Sequence, residues 1–194
     1  MHFSFDRDII LENERALLRP VTNEDVEHLL AVATEDPLLL QYSPKPVYNR
    51  ELLTRYIQNA VEERKNRTRY SFSIFCRKEN AYAGSTAFLT VSQENDSLEI
   101  GATWLGKRFR GTGLNQNCKH LLLTYAFETL GANRVAFRTD ERNAASRTAL
   151  RKIGATMEGI LREDMVLYDG FRRNSCYFSI LRKEWFGMVK AGFV

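Results

Sequence analysis

Trp104-Leu105-Gly106-Lys107-Arg108-Phe109-Arg110-Gly111-Thr112-Gly113-Leu114-Asn115 is the stretch on which the rest of the chain turns. An apolar run with strand character, Leu98 to Leu105, precedes it, and an amphipathic helical pattern, Leu114 to Leu130, follows it. Between them stand Gly111 and Gly113, flanked by Lys107, Arg108 and Arg110. The order is strand, basic glycine turn, helix N-terminus. The first N–H groups of a helix have no intrahelical partner and carry the positive end of its dipole. Glycines let a ligand come close to backbone, so the turn points to an anion, with phosphate the usual guest.

Phosphate-binding patterns differ in what they demand. A dinucleotide fingerprint needs a third glycine where this chain has Gln116. A P-loop reading from Gly101 to Lys107 fails at Arg108, which replaces the hydroxyl that holds magnesium, and it would place Gly101 inside the strand. Both are rejected. The plain alternative, a glycine-rich connector with no ligand, stays open on the loop alone.

The chain has 194 residues, 44% hydrophobic and 27% charged, as expected for one globular domain over 1–194 with a sizeable core. Its apolar runs are too short to span a bilayer, and the N-terminus lacks the basic-then-apolar order of a secretory signal. Cys76, Cys118 and Cys176 are widely spaced and odd in number, which argues against a disulfide framework and for the cytoplasm. His2, His28 and His120 show no metal spacing, so no metal is expected; His120 reads as solvated surface. A net charge of +4 without a Lys/Arg block argues against nucleic-acid binding.

Working outward, residues 8–20 read as one or two strands ending at Pro20. Thr22 to Asp25 has the form of a helix cap, Thr22 hydroxyl first and a carboxylate three residues on. A loop at 36–48 carries Pro37, Pro44 and Pro46 with Tyr42 and Tyr48, and helical spacing returns from Arg50 to Glu63. The period then becomes two over Tyr70 to Cys76 and Asn80 to Val91. Leu98, Ile100, Ala102 and Trp104 are expected on one face of the next strand, with Glu99, Gly101 and Thr103 on the other. Leu114, Cys118, Leu121, Leu122, Tyr125 and Ala126 form one buried helical stripe closed by Gly131. Arg134 to Thr139 completes a strand–helix–strand unit, hence a parallel pair. Asn143 caps a helix from Ala144 to Ile153, and 156–163 with 174–182 close the chain as strands around Asp169-Gly170.

Arg110 to Asn115 resembles the acyl-CoA pyrophosphate loop of the GNAT acetyltransferases, Q/R-x-x-G-x-G/A, with Asn115 in place of the usual small residue. Asn143-Ala144-Ala145-Ser146 and then Leu150-Arg151-Lys152-Ile153-Gly154-Ala155 resemble the N-x-x-A/S and L-x-K-x-G-F/A segments of the same family. With Glu99-Ile100-Gly101, Tyr125-Ala126-Phe127 and Arg138 to Asn143, the order and spacing are similar to the ribosomal-protein-alanine acetyltransferase (RimJ/RimL-like) branch, from about Ala16 to Trp185.

The resemblance implies an α/β fold: a twisted, mostly antiparallel sheet with flanking helices and one parallel pair splayed apart, Leu98–Leu105 from Arg134–Thr139. Acetyl-CoA is expected in that opening. Backbone at Trp104 and Leu105 would pair with the pantetheine arm, which Asn143 would also reach. Arg110 and the amides of Gly111, Thr112, Gly113, Leu114 and Asn115 would hold the pyrophosphate. The implied activity is N-acetyl transfer to a primary amine, on a protein N-terminus or a small molecule. A neutral amine attacking a thioester needs a base and an oxyanion donor. Glu99, opposite the Leu98/Ile100 stripe, is the candidate base. The tyrosine that many members use as proton donor is replaced by Leu150, and Ser146 matches the serine of the branch. Tyr168, Phe171 and Tyr177 either border the acceptor end or serve as core or surface packing. A homodimer is compatible with the sequence but not demanded by it. The alternative is an acyl-CoA-binding sensor of the same fold without turnover.

Overall fold

The period-two stretches pair as expected. The computed structural model describes residues 1–193, and in it they build an eight-stranded sheet. Its strands are β1 (Leu11–Glu12), β2 (Ala16–Pro20), β3 (Arg69–Cys76), β4 (Ala81–Ser92), β5 (Ser97–Leu105), β6 (Arg134–Asp140), β7 (Thr156–Val166) and β8 (Arg172–Leu181). The spatial order is β1-β2-β3-β4-β5-β6-β8-β7, antiparallel throughout except for β5 and β6, which run parallel.

Helices cover both faces. α1 (Asp25–Thr34) and α2 (Arg50–Lys65) lie on one side, where Tyr56 of α2 takes hydrogen bonds from Arg69 of β3 (2.6 Å) and the Trp104 indole of β5 (3.4 Å). α2 starts where Asn49 accepts from the Leu52 amide. α1 starts differently from the sequence expectation. The Thr22 hydroxyl does not cap it; buried Asp25 instead accepts from the Thr22 amide (2.9 Å) while Arg19 grips both its oxygens (2.6 and 3.0 Å). On the opposite face lies α3 (Leu114–Thr124), continued by a wider helical turn, Tyr125–Thr129, and ended at Gly131 with φ 74°. Tyr125 stacks there on Phe88 of β4, ring centroids 6.1 Å apart. α4 (Ala144–Lys152) follows β6 and ends at Gly154, φ 82°.

β5 carries an irregularity that alternation alone misassigns. Glu99 pairs with Leu89, Gly101 with Ala87 and Trp104 with Ser85. Residues 85, 87 and 89 share one face of β4, so Glu99, Gly101 and Trp104 share the corresponding face of β5. Trp104 is therefore not on the Leu98/Ile100 face. The extra residue is Ala102, held at φ 48°, a β-bulge that flips every position after it. Thr103 consequently faces the α3 side, with its hydroxyl 2.7 Å from that of Thr86.

Two further corrections concern the C-terminal third. β7 runs to Val166 and β8 begins at Arg172, so only 167–171 remains as the turn, with Gly170 at φ 84°. His120 is half-buried against Trp185 and Phe193, centroids 6.0 and 5.1 Å away, in C-terminal helical turns that no sequence signal had marked.

Gly84 sits where β4 presses on the end of β5. A Cβ there would run into the carbonyl oxygen of Trp104, a backbone atom that cannot turn aside. Gly84→Ala is expected to destabilise the chain by about 2 kcal/mol or more, read as a lowered midpoint in urea unfolding. An unchanged midpoint contradicts this account of the bulged edge.

Candidate active site

β5 and β6 hold together over three residue pairs only, Ser97 with Arg134, Leu98 with Val135 and Glu99 with Ala136. Past that point β5 continues to Leu105 and β6 to Asp140 with no pairing between them. β4 and β8 still pair with their outer edges, so the gap lies inside the sheet. The expected splay is present, at the expected strands.

The glycine turn stands at the mouth of this gap. Gly111 and Gly113 adopt φ 74° and 85°, the left-handed region that glycine occupies without strain, and Gly113 is the N-cap of α3 without a side-chain cap. Residues 110–113 are exposed. Among the described residues, the amides of Gly111, Thr112, Gly113, Asn115 and Gln116 find no protein acceptor, and the Leu114 amide has a long contact to the Thr112 hydroxyl (3.4 Å). A helix end left this open is suited to an anion.

Arg110 is exposed yet tied down by two hydrogen bonds. Its Nε donates to the Leu105 carbonyl (3.0 Å) and its Nη2 to Asp36 (3.2 Å), which fastens the turn to the end of β5. Arg15 donates to the Thr112 carbonyl (2.9 Å) and so brings a second cation to the turn from β2's neighbourhood, unannounced by any motif. Lys107 and Arg108 are exposed beside it.

At the crotch of the gap, on the α2 side, Glu99 is buried. Gly101 makes room for it: a Cβ there would lie 3.1 Å from Glu99 Oε1 and 2.7 Å from Leu89. Arg138 of β6 approaches Glu99 to 3.7 Å and Asp164 of β7 to 3.6 Å. Its Nη1 also donates to the Tyr177 hydroxyl (3.4 Å), which donates to Asp164 (3.3 Å). Burial raises the pKa of Glu99; the attraction of Arg138 and Arg173 opposes this and is outweighed. At 3.7 Å, with no hydrogen bond between them, the Arg138 contact is too loose to reverse a desolvation of that size. Arg138 and Asp140 do not pair with each other, since Asp140 holds Arg142 (2.8 Å).

Three distant segments meet beside this cluster. Arg142 lies over the rings of Phe171 (3.7 Å) and Tyr42 (5.4 Å). Buried Arg173 donates to the Tyr42 carbonyl (2.9 Å) and to Ser175 (2.9 Å). Tyr177 thus belongs to the Glu99 cluster, Phe171 to its rim, and Tyr168 is exposed. Asp164 and Arg173 lie in strand ends beyond the 156–163 and 174–182 that the sequence marks, so no sequence signal points to them.

Asn143 caps α4, its side-chain oxygen accepting from the Ser146 amide (3.0 Å), while its amide nitrogen makes no protein hydrogen bond among the described residues. The Ser146 hydroxyl is likewise unbonded, rather than turned back on its own helix. Cys76, Cys118 and Cys176 are free thiols, all buried. Among the described residues no group of His, Cys, Asp and Glu is arranged to hold a metal, and no helix is long and apolar enough to cross a membrane.

The pattern that defines the acetyltransferase (GNAT) domain matches residues 15–156, and the chain belongs to that family of acyl-CoA-dependent N-acetyltransferases. Among its relatives, YdaF of Bacillus subtilis, provisionally named a ribosomal N-acetyltransferase, is 34% identical over 56% of this chain and 58% of its own length. The ribosomal branch read from the sequence is the one that this relative's name carries. An uncharacterised N-acetyltransferase, p20, of Bacillus licheniformis is 28% identical over 91% of this chain and 98% of its own. In fold, a GCN5-related N-acetyltransferase from Brucella melitensis superposes with a TM-score of 0.88 at 22% identity, covering 97% of this chain and 86% of that one.

A raised folded-state pKa means that the folded chain holds the Glu99 proton more tightly than the unfolded chain does. Stability from this group then falls as pH rises from the unfolded value through the raised one. Glu99→Gln, fixed in the neutral form, is expected to melt at or above the wild-type temperature near pH 8 and to lose that advantage near pH 4. A lower melting temperature for the variant near pH 8 contradicts the assignment.

Proposed function

We propose that this chain transfers the acetyl group of acetyl-CoA to a primary amine, on a protein N-terminus or a small molecule, by direct attack within a ternary complex. The observation that carries the proposal is the gap itself: two strands parted from Glu99 onward, with unpaired amides at its mouth and a buried carboxylate at its crotch.

The unpaired amides of Gly111 to Asn115 fit a diphosphate, and Arg15, Lys107 and Arg108 supply positive charge around them. Arg110 sets the turn's shape. The inner edge of β5 at Trp104 and Leu105 offers backbone groups to an extended amide-bearing arm, and the free amide nitrogen of Asn143 offers a donor from across the gap. The acetyl thioester that acetyl-CoA supplies is the electrophile. Glu99 takes the proton of the attacking amine, and its raised pKa brings its basicity closer to that task. A β5 backbone N–H beside the bulge is suited to the oxyanion. The unbonded Ser146 hydroxyl serves the leaving sulfur. Burial of Glu99 and the free Ser146 hydroxyl favour turnover over a sensor role. The three free cysteines suit a reducing, cytoplasmic setting.

Gly113→Glu, which sets a carboxylate in the anion site, is expected to abolish acetyl-CoA binding in calorimetry while the circular dichroism spectrum is kept; unchanged affinity removes the loop assignment. Glu99→Gln is expected to lower turnover about 100- to 10,000-fold, with acetyl-CoA affinity retained. Acetyl-CoA binding by the wild type without acetylated product, across a panel of amines and N-terminal peptides, marks a sensor instead.

A further inference from the structure

Lys119 lies on the inward side of α3, about 9 Å along the helix from Gly113 at 1.5 Å per residue. It is 6% exposed. Its Nζ donates to the Thr103 hydroxyl (2.8 Å) and sits 6.0 Å from the centre of the Phe137 ring. Thr103 belongs to β5 beyond Glu99, and Phe137 to β6 beyond Ala136. The amine therefore stands between the two parted strands, on the α3 side of the gap, while Glu99 stands on the α2 side.

Among the described residues no carboxylate lies within ion-pair distance of Lys119 Nζ, and one hydrogen bond is made where an ammonium has three donors. The groups that face it are Thr103 and Thr86 from the sheet, Phe137 from β6 and the Cys118 thiol of its own helix. Burial pushes that thiol up to about 12, so it stays neutral, and brings Lys119 down to about 8. A buried ammonium without a partner is costly by several kcal/mol. One turn earlier on the same side of α3, the side-chain oxygen of Asn115 is also buried and without a partner. One face of α3 thus carries an ammonium without a counter-charge and an amide oxygen without a hydrogen-bond partner.

We propose that Lys119 is a catalytic residue whose ammonium contacts the thioester sulfur and balances the negative charge that gathers there. The proposal rests on the acetyl-CoA reading above and deepens it. As the bond between amine nitrogen and acyl carbon forms, the carbon–sulfur bond breaks and its electron pair passes to sulfur. The amine proton passes to Glu99 and from there to solvent. The thiolate stays paired with Lys119 until coenzyme A takes a proton from solvent and leaves as the thiol. Ser146, a neutral hydroxyl, then adds a hydrogen bond to a charge that Lys119 balances.

The test is the ionisation of the coenzyme A thiol when bound to the full-length chain, followed by ultraviolet thiolate absorbance against pH, with free coenzyme A in parallel. The bound thiol is expected to ionise about 1 to 3 pH units below the free thiol. In Lys119→Met the lowering is expected to vanish, in Lys119→Arg to persist, and turnover of Lys119→Met to fall about 100-fold with coenzyme A affinity within a few-fold. A bound thiol that ionises at or above the free value in the wild type overturns the proposal, and so does an equal lowering in Lys119→Met. Should Lys119→Met fail to fold, Thr103→Val keeps the ammonium and cuts its anchor; partial loss of the lowering supports the role and full retention counts against it. Absence of coenzyme A binding in calorimetry is a separate failure, that of the acetyl-CoA reading, and it takes the proposal with it.

Discussion

Backbone hydrogen bonds left unmade inside a sheet are the constraint on which this structure depends. β5 and β6 part after three residue pairs although both continue, and their facing edges end without a strand to pair with. Each buried backbone group left unpaired costs about 1–3 kcal/mol. Backbone groups along such an edge need water or a bound partner to meet them. An extended ligand with amide groups is the chemical match, and the other features of the site are arranged around that slot.

The arrangement follows from local devices. The Ala102 bulge turns Trp104 toward α2 and Thr103 toward α3, so one strand presents different chemistry to the two sides of the gap. Gly101 leaves the space that the Glu99 carboxylate occupies. Arg110 ties the glycine turn to the last carbonyl of β5, which fixes the open helix end relative to the gap. Across the gap, β6, β7 and β8 contribute Arg138, Asp164 and Tyr177 to one charged cluster, and Arg142 and Arg173 fasten the loop bearing Tyr42 over it. This end of the gap is thus more heavily charged and more tightly braced than a plain apolar pocket.

Much of this was legible in the sequence because it is written in local signals. The glycine pair, the helical stripe of α3, the Asn143 cap and the parallel crossover all depend on neighbours within a few residues. What escaped depends on contacts across the fold. Alternation places Trp104 on the wrong face because the left-handed position of the bulge falls on Ala102, which gives no signal of it, rather than on Gly101 beside it. Arg110 matched a binding motif, yet Asp36, far away in sequence, helps claim its guanidinium. Asp164 and Arg173 sit at strand ends whose polar sequence carries no alternation. Lys119 stands beside Cys118, Leu122 and Ala126 in the sequence of α3, but nothing local says that it is buried with them.

The central claim is that the free amides at the start of α3 and the parted edge of β5 together hold coenzyme A. Backbone amide resonances of the 15N-labelled chain, followed during titration with coenzyme A, test it most directly. The account predicts that the largest shifts fall on Gly111, Gly113 and Asn115 and on Thr103 to Leu105, with β1 and β7 little moved. Binding whose shifts spare both the turn and β5 would contradict it.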